Sequence, residues 1–271
     1  MNQCNDFRTR LLEEEKSPLT VEKYLRDIRR FLDWLGPRPL SREQTLAWKQ
    51  QLAASYAPAS VNSMLSALNR WLEHIGRSDC RVRFLRRQRR AFLPPETELT
   101  RAEYDRLLRA APPALGLLMQ AICSTGIRVS EHRFLTVEAA RAGRAEVRLK
   151  GRCRTVFLPK ALCRALLAHA KQHGIAAGPV FLSRSGAPLD RSRIWAQMKK
   201  LCAAARVRRE KVFPHNLRHL FARVYYTREK DIVRLADILG HASVDTTRIY
   251  TMESGEVHRR QLEKLGLCGI T

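Results

Sequence analysis

HNLRHLFARVYYTREKDIVRLADILGHASVDTTRIYT, residues 215–251, reads as two helices followed by a short third. In the first, Leu217, Leu220, Phe221 and Val224 recur at helical spacing and form the expected buried stripe. His215 and Arg218 are three residues apart and share a face, which the stripe leaves pointing away from the core. The second helix stops at Gly240, the expected residue just past its C-terminus, and His241 follows. Ser243 then opens a short polar helix that carries Tyr250, nine residues after His241. Tyr225 and Tyr226 end the first helix, so at least one of them is expected in the core. Tyr250 lies between Ile249 and Thr251 with few apolar neighbours, and is expected to stand clear of a core.

Working outward, helical patterns dominate. TVEKYLRDIRRFLDWLG aligns Val21, Tyr24, Leu25, Ile28, Phe31, Leu32 and Leu35, with Thr20 as the expected N-cap and Gly36 as the stop. SREQTLAWKQQLA begins with a Ser41/Gln44 capping box, and LTRAEYDRLLRAA with a Thr100/Glu103 one. ASVNSMLSALNRWLEHIG aligns Met64, Leu65, Leu68, Trp71, Leu72 and Ile75. DRSRIWAQMKKLCAAA starts at Asp190. The one clear β signal is AEVRL and RTVFL alternating around KGRC, a hairpin. The fold class is therefore mainly α (α+β): a helical N-terminal bundle, then a mostly helical domain with a small antiparallel sheet. Residues 81–90 hold six arginines and no acid, and Pro94-Pro95 follow. This marks an Arg-rich linker at 81–98 between domains at 1–80 and 99–271. Arg81, Arg83, Arg86, Arg87, Arg89 and Arg90 could track phosphates or simply be solvated.

Fifty Lys+Arg against 26 Asp+Glu leave a net charge of +24, and 45% of residues are apolar. Such a chain can bury a core, and its charge asks for an anionic partner, nucleic acid first and a membrane surface second. No apolar run approaches the roughly 20 residues of a spanning helix, and no signal peptide opens the chain, so no membrane partner and a cytoplasmic location are expected. The seven cysteines are odd in number and widely spaced, with no CxxC, which suggests reduced thiols and no zinc site. No nucleotide-binding glycine motif is present.

Arg128, after a glycine turn in TGIRVSE, is either a phosphate ligand or a surface partner of Glu131. Lys150 is more informative. Eleven of the 50 basic residues are lysines, and none lies between Lys49 and Lys150. Where Arg serves for plain charge, a Lys at a hairpin tip is a candidate general acid, because Lys can release a proton and Arg cannot. An ordinary polar turn residue is the alternative. His241 could merely complement a helix C-terminus. Together these residues fit metal-free cleavage of a phosphodiester. Cations stabilise charge on the phosphoryl oxygens, Arg is suited to that by its planar fork, and a side-chain nucleophile gives a covalent intermediate. Tyrosine in water ionises near pH ~10, so nearby cations or a base must assist it.

The order Arg128, Lys150, His215-x-x-Arg218, Gly240-His241, Tyr250 resembles the tyrosine recombinases, the phage-integrase family. The carrying stretches are STGIRVSE, VRLKGRCRTVFLP, FPHNLRHLFA and LADILGHASVDTTRIYT, and the N-terminal helices resemble the family's core-binding domain. The resemblance implies that Tyr250 attacks the scissile phosphate to form a 3′-phosphotyrosine. It implies that Arg128 and Arg218 clamp the phosphoryl oxygens, Lys150 protonates the leaving 5′ oxygen, His215 assists proton transfer and His241 hydrogen-bonds the phosphate. It implies a homotetramer on two double-stranded DNA sites, closing two-lobed clamps, with no metal, ATP or other cofactor. His132 departs from the family's apolar residue and reads as a packing position. After Tyr250, VHRRQLEKLGL has spacing that permits docking on a neighbouring subunit. The alternatives are a type IB topoisomerase-like nicking and closing enzyme and a catalytically silent DNA-binding protein.

Overall fold

The computed structural model describes residues 2–86, 98–149, 152–241, 243–250 and 263–265. The chain divides into two compact units, Met1–Arg89 and Arg90–Thr271.

The described residues of the first unit form α1 (Asn2–Glu13), α2 (Pro18–Leu35), α3 (Arg42–Ser55) and α4 (Pro58–His74), with a 3-10 turn at Ser78–Cys80. Its core joins Leu25, Ile28 and Phe31 of α2, Trp48 and Leu52 of α3, and Leu65, Leu68, Trp71 and Leu72 of α4. The helix α1 has no counterpart in the sequence reading. Only Phe7 and Leu11 enter the core from its described side chains, too few to give a period. Ser17, not Thr20, caps α2. Its hydroxyl accepts from Thr20 N at 3.3 Å, because Pro18 fits the first helical position, where no N–H is needed. The Ser41 cap forms, with Ser41 Oγ accepting from Gln44 N at 3.3 Å. Its return bond does not, and Gln44 Oε1 is buried without a partner. Beyond α4, residues 81–86 run along the unit. Asn69 pairs with both the N–H and the C=O of Val82, and Asn62 does the same for Leu85. Arg81, Arg83 and Arg86 are exposed, with Arg81 Nη1 at 2.5 Å from Glu73. Arg87, Arg89 and Arg90 lie outside the described residues.

The second unit is built around α6 (Pro113–Thr125), buried along most of its length. Before it comes α5 (Arg101–Ala110), whose Thr100/Glu103 capping box is complete. After it come a 3-10 turn at Val129–Phe134, α7 (Val137–Ala142), strands β1 (Arg144–Leu149) and β2 (Arg152–Phe157), and α8 (Lys160–Gln172). Then follow α9 (Arg191–Lys200), α10 (Cys202–Ala205), α11 (Pro214–Glu229), α12 (Ile232–Leu239), α13 (Val244–Thr247) and a 3-10 turn at Arg248–Tyr250. The two strands pair antiparallel from Arg144↔Phe157 to Leu149↔Arg152, with Ala145, Val147 and Val156 turned into the core. Asp190 caps α9, accepting from Ser192 N at 2.8 Å. His132 is buried, its ring 6.4 Å from that of Phe181 and its Nδ1 2.5 Å from Val129 O, as a packing position should be. Among the described residues no helix is long and apolar enough to cross a membrane.

The helix α11 departs from its expected pattern. Leu217 and Leu220 are buried as expected, but Val224 is exposed, and Arg218 is buried rather than turned away from the core. The helix is covered on two sides, by α6 and by the segment from α12 to Tyr250. Part of its polar face is thereby enclosed.

Candidate active site

The site forms where α12 ends. The last turn of a helix leaves carbonyls without intrahelical partners and presents the negative end of the helix dipole. Here three consecutive carbonyls take three different arginines. Ile238 O accepts from Arg154 Nη1, Leu239 O from Arg218 Nη2 at 2.8 Å, and Gly240 O from Arg128 Nη2 at 3.4 Å. Gly240 makes this possible by turning the chain at φ +64°, and a Cβ there would lie 2.5 Å from Arg154 Cδ.

Arg128 sits just past α6, whose end is turned by Gly126 at φ +67°. Its side chain remains 42% exposed, while its partner Glu131 is 1% exposed. Arg128 Nη1 donates to Glu131 Oε1 at 2.9 Å and its backbone N to Oε2 at 2.8 Å. Arg154 Nη2 donates to the same carboxylate at 2.5 Å. The pairing of Arg128 with Glu131 was legible in the sequence. Its burial was not, and Glu131 is the buried centre of a three-residue array, not a surface partner. Burial pulls the Arg154 pKa down and Glu131 opposes that shift.

Arg218 is 1% exposed. Its Nη1 donates to Gly126 O at 2.5 Å, and its Nε is buried with no hydrogen-bond partner. Burial first, then repulsion from Arg128, pushes its pKa down to about 10, with Tyr250 acting in the opposite direction. It stays charged at neutral pH. Three guanidiniums against one carboxylate leave an excess of positive charge, and a buried donor is unpaired. Both point to an anionic ligand.

His241 Nε2 lies 2.9 Å from Arg218 Nη2. A guanidinium only donates, so Nε2 is the acceptor, and the imidazole proton sits on Nδ1, 2.8 Å from Thr247 Oγ1. Burial, then Arg218, Arg128, Arg154 and His215, pushes the His241 pKa down to about 4.

Tyr250 is 4% exposed. It packs with Ala222, Leu235 and Leu239, contrary to the expectation that it stands outside a core. The polar helix before it supplies no apolar cover; α11 and α12 do. Its ring lies between two imidazoles, edge to face with His219 at 4.8 Å and nearly parallel to His241 at 6.0 Å. His215, one turn before His219 on α11, is exposed and its ring is 4.5 Å from that of His219. Desolvation, then Arg218, Arg128 and Arg191, lowers its pKa. His219, with a pKa pushed to about 4 chiefly by burial, escaped the sequence reading because the H-x-x-R template ends one residue earlier. Its i+4 spacing from His215 was the available signal. A cavity of about 520 Å³ opens beside Arg128, His215 and Arg218, and is lined also by Arg191, Trp195 and Phe213. The structure thus gathers Arg128, His215, Arg218, His241 and Tyr250. Lys150 lies outside the described residues.

Residues 97–256 match the phage integrase family, and residues 5–74 match the phage integrase N-terminal SAM-like domain. The chain is 31% identical over 281 residues to the tyrosine recombinase XerD of Xanthomonas axonopodis pv. citri, covering 91% of this chain and 89% of that one. It is 29% identical over 273 residues to the tyrosine recombinase XerA of Thermococcus kodakarensis, covering 97% and 94%. Its fold is similar to that of lambda integrase in a dimer bound to a core site, with a TM-score of 0.74 at 18% identity, covering 92% and 94%. With more than half its length matched by the family and its site gathered at one helix end, the chain belongs to the phage integrase family, the tyrosine recombinases.

Proposed function

We propose that the chain is a site-specific recombinase that cuts and rejoins double-stranded DNA through a 3′-phosphotyrosine at Tyr250. The observation that carries this reading is the convergence of Arg128, Arg218 and His241 with Tyr250 around the end of α12. Tyr250 Oη attacks the scissile phosphorus, the 5′ oxygen departs, and one phosphoester is exchanged for another. The bond is conserved, and the step needs neither nucleotide nor metal. Arg128 and Arg218 hold the non-bridging oxygens as their charge grows. Lys150 protonates the leaving oxygen, and His215 assists removal of the tyrosine proton. His241 reaches the phosphate by way of Arg218, since its Nε2 accepts from that guanidinium. The 5′ hydroxyl of a second strand then reverses the step.

Structures of lambda integrase hold a dimer on a core site and a tetramer on a Holliday junction. The same assembly is proposed here, a homotetramer on two DNA sites, acting in the cytoplasm with the DNA. Residues 1–80 form the clamp's helical lobe, 81–98 the arginine strap, with Arg81, Arg83, Arg86, Arg87, Arg89 and Arg90 along the backbone, and 99–271 the catalytic lobe.

The test uses a duplex carrying a site recovered by binding selection from random-sequence DNA, nicked so that the cleaved 5′ fragment diffuses away. Wild type accumulates a protein–DNA adduct that survives denaturing electrophoresis, and Tyr250→Phe gives none. An adduct with the Phe variant, or none with wild type, overturns the proposal.

A further inference from the structure

We infer that Arg154 is a positioning residue of the phosphate clamp, acting on Arg128 through Glu131 and tying both to the end of α12. The inference rests on the function proposed above. Arg154 extends from β2, four residues after Lys150 in sequence. One amino group of its guanidinium takes Glu131 Oε2 at 2.5 Å and another takes Ile238 O. Its side chain is 15% exposed. The aliphatic part of the chain passes under Gly240, so closely that no Cβ fits there without displacing it. The residue is therefore fixed at both ends and along its shaft, and it joins three separate segments: the turn after α6, the hairpin strand, and the α12 terminus.

The electrostatics give this brace a purpose. Glu131 is buried and also engages Arg128. A buried carboxylate with a single cationic partner would neutralise that partner and hold it back from a ligand. Sharing the carboxylate with Arg154 leaves Arg128 both oriented and net positive. Removing Arg154 hands all of Glu131 to Arg128, and frees the guanidinium's anchor at Ile238 O. A guanidinium is needed because two acceptors in different directions must be met by one planar group, which an ammonium on a flexible stem does not match.

The experiment is a double-mutant cycle on the full chain: Arg154→Gln, Glu131→Gln and both together. Single-turnover cleavage of the nicked selected site is compared with affinity for the intact site. We expect Arg154→Gln to slow cleavage by about a hundredfold, the scale of a small misplacement of reacting groups, with affinity within about threefold of wild type. The double variant should cleave no more slowly than the worse single variant, because both substitutions break one linkage. Arg154→Lys should slow cleavage while retaining the folded state in a thermal melt, and it replaces Arg154→Gln in the cycle if that variant does not fold. Multiplicative defects in the double variant, wild-type rates in the singles, or a loss of cleavage matched by an equal loss of binding would each overturn the inference. Failure of wild type to form the Tyr250 adduct would instead overturn the function on which it rests.

Discussion

Tyr250, the proposed nucleophile, is buried and flanked by two imidazoles. Its ring is held by Leu235, Leu239 and Ala222, and it interacts with Arg218. His219 and His241, both with pKa values of about 4, stay uncharged at neutral pH and add no further positive charge beside Arg218. This has a consequence for stability. Between pH 4 and the ordinary imidazole value of 6.5, the unfolded chain binds protons at these positions and the folded chain does not. Stability therefore rises with pH across that window and is lost as pH falls from 6.5 toward 4. His219→Phe removes one such contribution, so urea midpoints of wild type should fall more steeply than those of the variant on acidification. Parallel curves would show that His219 titrates normally in the folded protein. At this scale residue type and order suffice to propose Arg128, His215, Arg218, His241 and Tyr250 as a set, but not the burial of Arg218 and Tyr250. His219, Arg154 and the burial of Glu131 were not, because each depends on what another segment brings against it.

Among the elements, α11 and the two glycine turns decide the site's shape. The sequence pattern for α11 placed Arg218 outside because it assumed one buried face. The packing of α6 on one side and the α12-to-Tyr250 segment on the other encloses a second face. Gly126 ends α6 at φ +67°, and a Cβ there would meet the Phe221 ring at 2.5 Å and Leu239 Cδ2 at 3.0 Å. Its carbonyl also takes Arg218 Nη1. Gly126→Ala combines a left-handed backbone cost with overpacking, and should destabilise the protein by about 2–4 kcal/mol in chemical denaturation. A change within about 0.5 kcal/mol, the range of ordinary surface substitutions, would mean that the turn relaxes freely. Helices with long apolar stripes, such as α2 and α4, and the hairpin were readable in advance. The first helix, α1, and the six-residue α7 were not, since short or sparsely apolar helices are stabilised by their packing more than by their own pattern.

For the whole molecule, charge is the property that composition alone revealed. A chain at +24 that grips a polyanion displaces counterions, so log affinity should fall linearly with log salt, by about 0.9 for each phosphate neutralised on duplex DNA. Fluorescence anisotropy of a labelled duplex across a salt series measures this slope, and a flat response would rule out extensive phosphate contact. The arginine run led to an expected linker at 81–98, whereas the compact units divide at Arg89/Arg90. The docking of residues 81–86 by Asn62 and Asn69 was not, because it relies on side-chain amides that carry no helical or strand signal.

The three carbonyls at the end of α12 bear on how such a protein can vary. Arg154, Arg218 and Arg128 read the main chain of residues 238–240, and main-chain acceptors are the same for every amino acid. Ile238 can change its side chain without removing an acceptor, and Leu239 is constrained by core packing alone. Insertion or deletion of one residue within α12 is different, because it turns the helix end by about 100° and scatters all three arginines at once. The site is thus encoded in the length of α12 as well as in residue identity, because loss of register there displaces all three contacts at once.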